Sequence, residues 1–294
     1  MLKKRIITAL LLLPAVFLLL FKLELERFSL ILVLLVYGMA LEWAKLSMIG
    51  KPIQRSLYAL LVIGIILVLW QLSIPIEFWP SLTWPNYLDF EWPISVLLIA
   101  SFMIFVAVAI VASFSKNNQW WQVFAMRELL GLILLPAFFF AFVSIRNMGY
   151  QLGDFYYGGK LLLFMLLLIW AADTGAFVTG KLFGKTKLTK VSPNKTWEGV
   201  LGGISLSLLI GWFGIEPLHL KVDHKGIYLA TILFLAIISV YGDLFESALK
   251  RVAKVKDSGN LLPGHGGLLD RLDSTITVAP LFYLSFSYFG WFNA

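Results

Sequence analysis

The feature that most constrains the fold is a series of long apolar runs that carry almost no charge. Of the 294 residues, 60% are hydrophobic and only 14% are charged. Soluble domains have about a quarter of their residues charged, whereas a helix needs about 20 apolar residues to cross a bilayer. The sequence therefore predicts an all-α integral membrane protein, a polytopic helical bundle.

Hydropathy places about nine transmembrane helices, with a Pro- and Trp-rich interfacial loop over residues 74–93. The predicted spans are 5–21, 28–46, 57–73, 94–114, 126–145, 159–180, 197–214, 227–249 and 272–291. The first 21 residues imitate a secretory signal, with Lys and Arg before an apolar run. No small-residue cleavage site follows them, so they are interpreted as a retained first span.

The distribution of positive charge predicts the orientation. With these spans, most Lys and Arg residues fall in loops on the side of the N-terminus, and the positive-inside rule makes that side cytoplasmic. Two polar, glycine-rich loops, 181–196 and 250–271, then lie together in the cytosol. The chain is accordingly divided into an N-terminal transmembrane region, 1–150, and a C-terminal catalytic region, 151–294.

Net charge and cysteine content exclude several classes of function. The net charge of +7 is read as a topological signal, so nucleic acid is not expected as a partner. The chain has no cysteine, which excludes disulfides, thiolate metal ligands and a cysteine nucleophile.

The segment 241–274 concentrates charge in an otherwise apolar chain. Its first part predicts the end of a helix, one face of which carries Asp243, Glu246, Ser247, Lys250 and Arg251. Glycines then break the helix and form a loop. Carboxylates bind Mg²⁺, cations bind phosphate oxygens, and glycines let backbone N–H groups approach closely. The alternative is a solvated loop with ordinary helix-end charges, which the interleaved glycines disfavour.

A second polar stretch, 173–203, contains a near match to a phosphate-binding loop. Gly180 to Thr186 resembles a Walker A loop, but three residues separate its glycines where four are required. We therefore reject a P-loop fold, although glycines with lysines still suit a polyphosphate. Ser192 is predicted to cap a helix with Glu198 downstream, which leaves Lys195 and Thr196 as substrate contacts.

Several carboxylates lie in or beside apolar runs, where an unpaired charge is costly. Asp173 and Asp243 adjoin the two polar loops and are expected in the site. For Glu42 and Glu128, structural pairing and a role in the site both stay open. His265 is compatible with a phosphate contact, with proton transfer or with a hydrogen bond that braces the loop.

The run from Ser247 to Asp273 resembles the C-terminal motif of the phosphatidate cytidylyltransferases, or CDP-diacylglycerol synthases. The residues in register are Ser247, Lys250, Arg251, Lys256, Asp257, Gly259, Pro263, His265, Gly266, Gly267, Asp270, Arg271 and Asp273. The block from Asp173 to Gly199 resembles the family's other characteristic segment. For residues 1–150 the resemblance is one of hydropathy alone.

The resemblance implies a Mg²⁺-dependent enzyme, with room for a second cation. It would join CTP to phosphatidic acid in phospholipid biosynthesis, at the cytosolic face of a bacterial inner membrane. We predict Asp243 and Asp270 as the metal ligands, with Asp273 and Glu246 as weaker candidates. The implied catalytic residues are Asp243, Asp270, Lys250, Arg251 and His265. The implied substrate-binding residues are Asp173, Lys185, Ser192, Lys195, Thr196, Glu198, Lys256, Asp257, Gly266, Gly267 and Arg271.

Two alternatives stay open at this point. A related membrane enzyme would use another lipid, as an isoprenoid-ether lipid cytidylyltransferase or a polyprenol kinase does. A secondary transporter would also place carboxylates and broken helices in the membrane. Membrane lipids are expected to surround either protein. A homodimer is left open by Gly199, Gly202 and Gly203, which would let a helix pack closely against its own chain or another copy.

Overall fold

The protein is a bundle of long helices. The computed structural model describes residues 13–73, 91–114, 123–149, 154–261, 264 and 266–292. Within them, residues 13–21 are helical and eight further helices follow. These are α1 (Leu25–Leu46), α2 (Pro52–Ser73), α3 (Glu91–Ser113), α4 (Phe124–Asn147), α5 (Tyr157–Phe183), α6 (Trp197–Gly214), α7 (Lys225–Val252) and α8 (Leu269–Tyr288). The predicted all-α fold is confirmed for these residues.

Seven helices of the described residues, α1 to α7, are long and apolar enough to cross a membrane. They coincide with the second to eighth predicted spans. Most of the first predicted span and of the interfacial loop lies outside the described residues. The ninth span corresponds to α8, which has the predicted length but does not share the apolar composition of the other seven.

Helix α8 is polar for a membrane helix because it is enclosed by other helices. It packs against α3, α4 and α7, and its residues 274–283 are all buried. The Ser274 hydroxyl donates a hydrogen bond of 2.9 Å to the carbonyl oxygen of Ser239 on α7. Polar groups at membrane depth are tolerated where protein surrounds them and supplies hydrogen-bond partners. Residues 274–283 of α8 are therefore held inside the bundle, whereas Arg271 in its first turn is exposed.

Helices α5 and α6 form a tightly packed hairpin. A side chain on Gly203 would collide with the carbonyl oxygen of Ala172, and one on Gly202 would collide with Thr179. Small residues let two helix backbones approach in this way. Because these α6 glycines contact α5 of the same chain, they give no support for packing against a second copy.

Candidate active site

The loop between α5 and α6 is folded back on itself. The Trp197 N–H donates to the carbonyl oxygen of Thr186 at 3.0 Å, and the Leu188 N–H donates to that of Lys195 at 2.9 Å. The carboxylate of Glu198 accepts hydrogen bonds from the N–H groups of Lys185 (3.2 Å) and Thr186 (3.1 Å). Glu198 therefore closes the loop that presents the neighbouring lysines.

The start of α6 corrects one prediction from the sequence. The helix begins at Trp197 and is capped by Thr196, whose hydroxyl accepts a hydrogen bond of 3.2 Å from the N–H of Gly199. The sequence had favoured Ser192 as the cap. Ser192 instead accepts, through its carbonyl oxygen, a hydrogen bond of 3.1 Å from the Lys195 N–H. The pattern around Ser192 resembles a helix start, but the chain makes one more turn before α6.

The two polar loops meet at α7; the sequence predicted that they lie on the same side of the membrane but not where they touch. Arg251, near the end of α7, donates from Nε to the carbonyl oxygen of Val191 at 3.3 Å. Lys195, just before α6, forms an ion pair with Asp243 on α7. Val191 is fully buried, so the first loop is anchored against the second.

Three carboxylates come together beside this ion pair. Asp173 of α5, Asp243 of α7 and Asp273 of α8 are close enough to repel one another electrostatically. Lys195 and Arg271 offset part of that charge at Asp173. Negative charge from three helices thus accumulates around the Lys195–Asp243 pair, which favours binding of a cation or a cation–phosphate complex.

A second cluster centres on Lys250. Its ammonium group binds Glu246, one turn earlier on α7, and Asp270 in the first turn of α8 at 2.8 Å. Glu246 is only 4% exposed, and its Oε1 atom is buried without a hydrogen-bond donor among the described residues. A buried charge needs partners to offset its lost hydration. Lys250 offsets the lost hydration of Glu246 and Asp270 only in part.

Asp270 is the most heavily bound carboxylate of the site. Its Oδ2 atom accepts hydrogen bonds from the N–H groups of Gly267 (2.8 Å) and Ser258 (3.0 Å), while Oδ1 accepts from Lys250. Burial raises the pKa of Asp270, but Lys250 and these N–H groups outweigh it and hold the pKa below its ordinary value. Asp270 is therefore an anion that ties the end of the glycine-rich loop to α7.

The sequence left the role of Glu42 open, and it did not single out Ser258. Glu42, on α1, is 9% exposed and accepts hydrogen bonds from the N–H groups of Leu268 (3.0 Å) and Leu269 (2.9 Å). Ser258 Oγ lies 2.9 Å from the Glu42 carboxylate and 3.0 Å from that of Asp270. The first N–H groups of a helix have no partner inside the helix and favour a negative charge. Glu42 caps α8 from another helix.

Replacing Glu42 by Gln is expected to destabilise the protein by about 1–3 kcal/mol, because a buried N–H group or the new amide loses its partner. Unfolding of the detergent-solubilised protein, followed by circular dichroism during titration with sodium dodecyl sulfate, would measure this. Glu24→Gln is the control, since Glu24 is exposed and its side chain makes no cap hydrogen bond. If both variants unfolded at the same concentration of sodium dodecyl sulfate, the capping role of Glu42 would be contradicted.

The remaining predicted residues lie in the two polar loops, 181–196 and 250–271. Lys185, Lys256, Asp257 and Arg271 are exposed, whereas Gly267 is buried. Gly266 has φ of +85°, a conformation in which a side chain would be strained. A side chain on Gly267 would collide with Ser258 and Glu42, so this glycine is needed for the turn itself. His265 and Pro263 lie outside the described residues.

The carboxylates are not arranged as a complete metal cage. Within the described part of the chain, no three His, Cys, Asp or Glu side chains converge closely enough to hold an ion. Mg²⁺ in proteins is usually held by one or two carboxylates together with substrate phosphates. The mutual repulsion of Asp173, Asp243 and Asp273 and the unpaired Oε1 of Glu246 fit a cation that arrives with its phosphate ligands.

The sequence is similar to known proteins along nearly its whole length. A sequence model of the cytidylyltransferase family matches residues 3–289. The phosphatidate cytidylyltransferase of Haemophilus influenzae is 36% identical, covering 99% of each chain. That of Pseudomonas aeruginosa is 35% identical with the same coverage, and that of Bacillus subtilis is 41% identical over 55% of this chain and 58% of its own. The match covers the transmembrane helices as well as both polar loops, and the chain belongs to the cytidylyltransferase family.

Proposed function

We propose that this protein is a phosphatidate cytidylyltransferase. A phosphate oxygen of phosphatidic acid attacks the α-phosphorus of CTP, a new P–O bond forms, and the bond to the β-phosphate oxygen breaks. The products are CDP-diacylglycerol and pyrophosphate. The observation that carries the proposal is the meeting of two cation-bearing polar loops at a carboxylate cluster, in a chain similar from end to end to bacterial phosphatidate cytidylyltransferases.

The roles of the lysine and arginine side chains follow from the negative charge of the reactants. In phosphoryl-type transfer the protein acts mainly by positioning the reactants and stabilising developing charge. Lys195 and Arg271, beside the carboxylate cluster, are placed to hold phosphate groups of the two substrates. Lys185 and Lys256 are exposed in the two polar loops, where they would meet CTP from solution. The attacking phosphate is already an anion, so the reaction needs no protein base.

We assign the Mg²⁺ ion to Asp243 and Asp273, next to Asp173. Bound there with CTP, the ion would neutralise charge on the phosphate oxygens. Both residues lie at the junction of α7 and α8, close to the Lys195 ion pair. Asp270 and Glu246 remain predicted ligands; like Asp243, which pairs with Lys195, each would have to exchange a contact with a lysine for the ion.

The proposal also includes an orientation. With both polar loops in the cytosol, most positive charge of the chain lies on the inner side of the membrane, as the positive-inside rule requires. CTP and Mg²⁺ would reach the site from the cytosol of a bacterial cell, and the lipid would reach it from the inner membrane. Oligomeric state does not enter this proposal.

The test is a reconstituted assay. The purified protein, mixed with phosphatidic acid, labelled CTP and Mg²⁺, is expected to form a labelled lipid and pyrophosphate, and EDTA is expected to stop both. Folded protein that binds CTP but makes no labelled lipid would point to another acceptor lipid. Folded protein that does not bind CTP would overturn the proposed nucleotide chemistry. It would favour the alternative of a secondary transporter.

A further inference from the structure

A groove runs along the outside of the bundle next to the catalytic cluster. It lies between the end of α3, the loop residues 187–193, the first two turns of α6 and residues 237–244 of α7, and its volume is about 880 Å³. We call it the α3–α6–α7 groove. Small-molecule sites have volumes of roughly 300–1,000 Å³, so the groove is large enough to hold a ligand.

The walls of the groove are apolar and face the lipid phase. Trp197 is 53% exposed, Leu201 is 63% exposed and Ile237 is 37% exposed. The three helices that line it are all long and apolar enough to cross a membrane. The lining stretches of α6 and α7 each span eight residues, which corresponds to about 10 Å along the helix axis. The groove is therefore deep enough to receive the upper part of an acyl chain from the bilayer.

One end of the groove is positively charged. Lys187 and Lys190 line it and are exposed, and neither forms an ion pair within the described residues. An ammonium group binds phosphate oxygens as a point charge. Apolar walls that end in two unpaired lysines match a lipid with a phosphate headgroup and an apolar tail.

The groove adjoins the catalytic cluster. Pro193 and Trp197 line it on either side of Lys195, which is ion-paired with Asp243. On α7, Tyr241 and Leu244 line the groove and flank Asp243 in the sequence. The same two segments of chain, 193–197 and 241–244, therefore contribute both to the groove and to the Lys195–Asp243 pair.

We propose that the α3–α6–α7 groove is the lipid site, through which a phosphatidate molecule reaches the reaction centre sideways from the membrane. Its glycerol and upper acyl chain lie on the apolar wall, and Lys187 and Lys190 bind its phosphate. This inference rests on the proposed function, because it takes phosphatidate as the acceptor.

The test compares two isoleucines of the same helix. Ile237 lines the groove, whereas Ile227, also on α7 and 45% exposed, does not. In mixed micelles, Ile237→Trp is expected to raise KM for a long-chain phosphatidate about tenfold, in the range for lost apolar contacts in a binding pocket. KM for CTP is expected to stay unchanged, and Ile227→Trp is expected to leave both constants unchanged. A dihexanoyl phosphatidate should be affected less than the long-chain lipid.

A second variant tests the charged end without filling the groove. The double substitution Lys187→Gln and Lys190→Gln is expected to raise KM for phosphatidate about threefold to fivefold, as expected for exposed charge pairs. Lys221→Gln, another exposed lysine, is the control. Both lysines are exposed, so this variant remains informative if Ile237→Trp does not fold.

The outcomes separate this inference from the proposed function. Wild-type protein that makes no CDP-lipid would overturn the function. Active wild-type protein with an unchanged phosphatidate KM in the Ile237 and lysine variants would overturn the groove alone. The groove assignment also fails if KM for CTP rises as much as KM for the lipid, or if phosphatidylglycerol competes as well as phosphatidate.

Discussion

Replacing Asp270 by Asn is expected to abolish turnover while leaving the protein folded. The carboxylate accepts from Lys250 through one oxygen and from Ser258 and Gly267 through the other. Asn offers only one acceptor oxygen, and its amide group donates. Either Lys250, or Ser258 and Gly267, therefore loses its acceptor. The negative charge that orients Lys250 is lost in either case. We expect a cost of about 1–3 kcal/mol in the free energy of unfolding.

The measurement is formation of labelled CDP-lipid, together with detergent-phase unfolding of the same preparation. Asp223→Asn is the matched control, since Asp223 is exposed in the segment before α7. Activity like that of the wild type would remove Asp270 from the site. Loss of the folded state would instead assign Asp270 a purely structural role.

Replacing Asp243 by Asn is expected to lower kcat by about 100-fold to 1,000-fold, the range for loss of one preorganised charge-stabilising group. Asp243 pairs with Lys195 and is repelled electrostatically by Asp173 and Asp273. Because Asn removes the repulsion from both neighbours, stability is expected to stay within about 1 kcal/mol of the wild type. Activity and stability should therefore separate at this position.

Asp154→Asn is the control for Asp243, because Asp154 forms a lysine ion pair at 3.4 Å with both side chains about half exposed. Steady-state kinetics at several Mg²⁺ concentrations would measure the effect. If Asp243 binds the ion, the variant should require more Mg²⁺ for its residual activity. An unchanged Mg²⁺ requirement with reduced kcat would assign Asp243 to the orientation of Lys195.

The helices could be predicted from the sequence because each apolar run is long enough to identify its own span. The placement of the two polar loops on one side of the membrane could also be predicted from the distribution of charge, but where they touch could not. The capping of α6 could not be predicted correctly. Ser192 and Thr196 are both good helix caps, and only the extra turn of chain before Trp197 decides between them.

The contact between Glu42 and Ser258 could not be predicted from local sequence patterns. The two residues are 216 positions apart, and a carboxylate within an apolar run has several ways to find a partner. Helix α8 was predicted as an ordinary span, whereas its polar first turns are accommodated by burial among α3, α4 and α7. Both features depend on which helices are neighbours.

The cap that α1 provides for α8 makes the two halves of the chain interdependent. A fragment beginning at residue 151 would keep every residue of the C-terminal motif, yet α8 would begin without the carboxylate that binds its first N–H groups. Transplanting the motif onto another bundle would meet the same problem. A designer who wished to reuse this chemistry would have to carry along a glutamate from the opposite end of the chain.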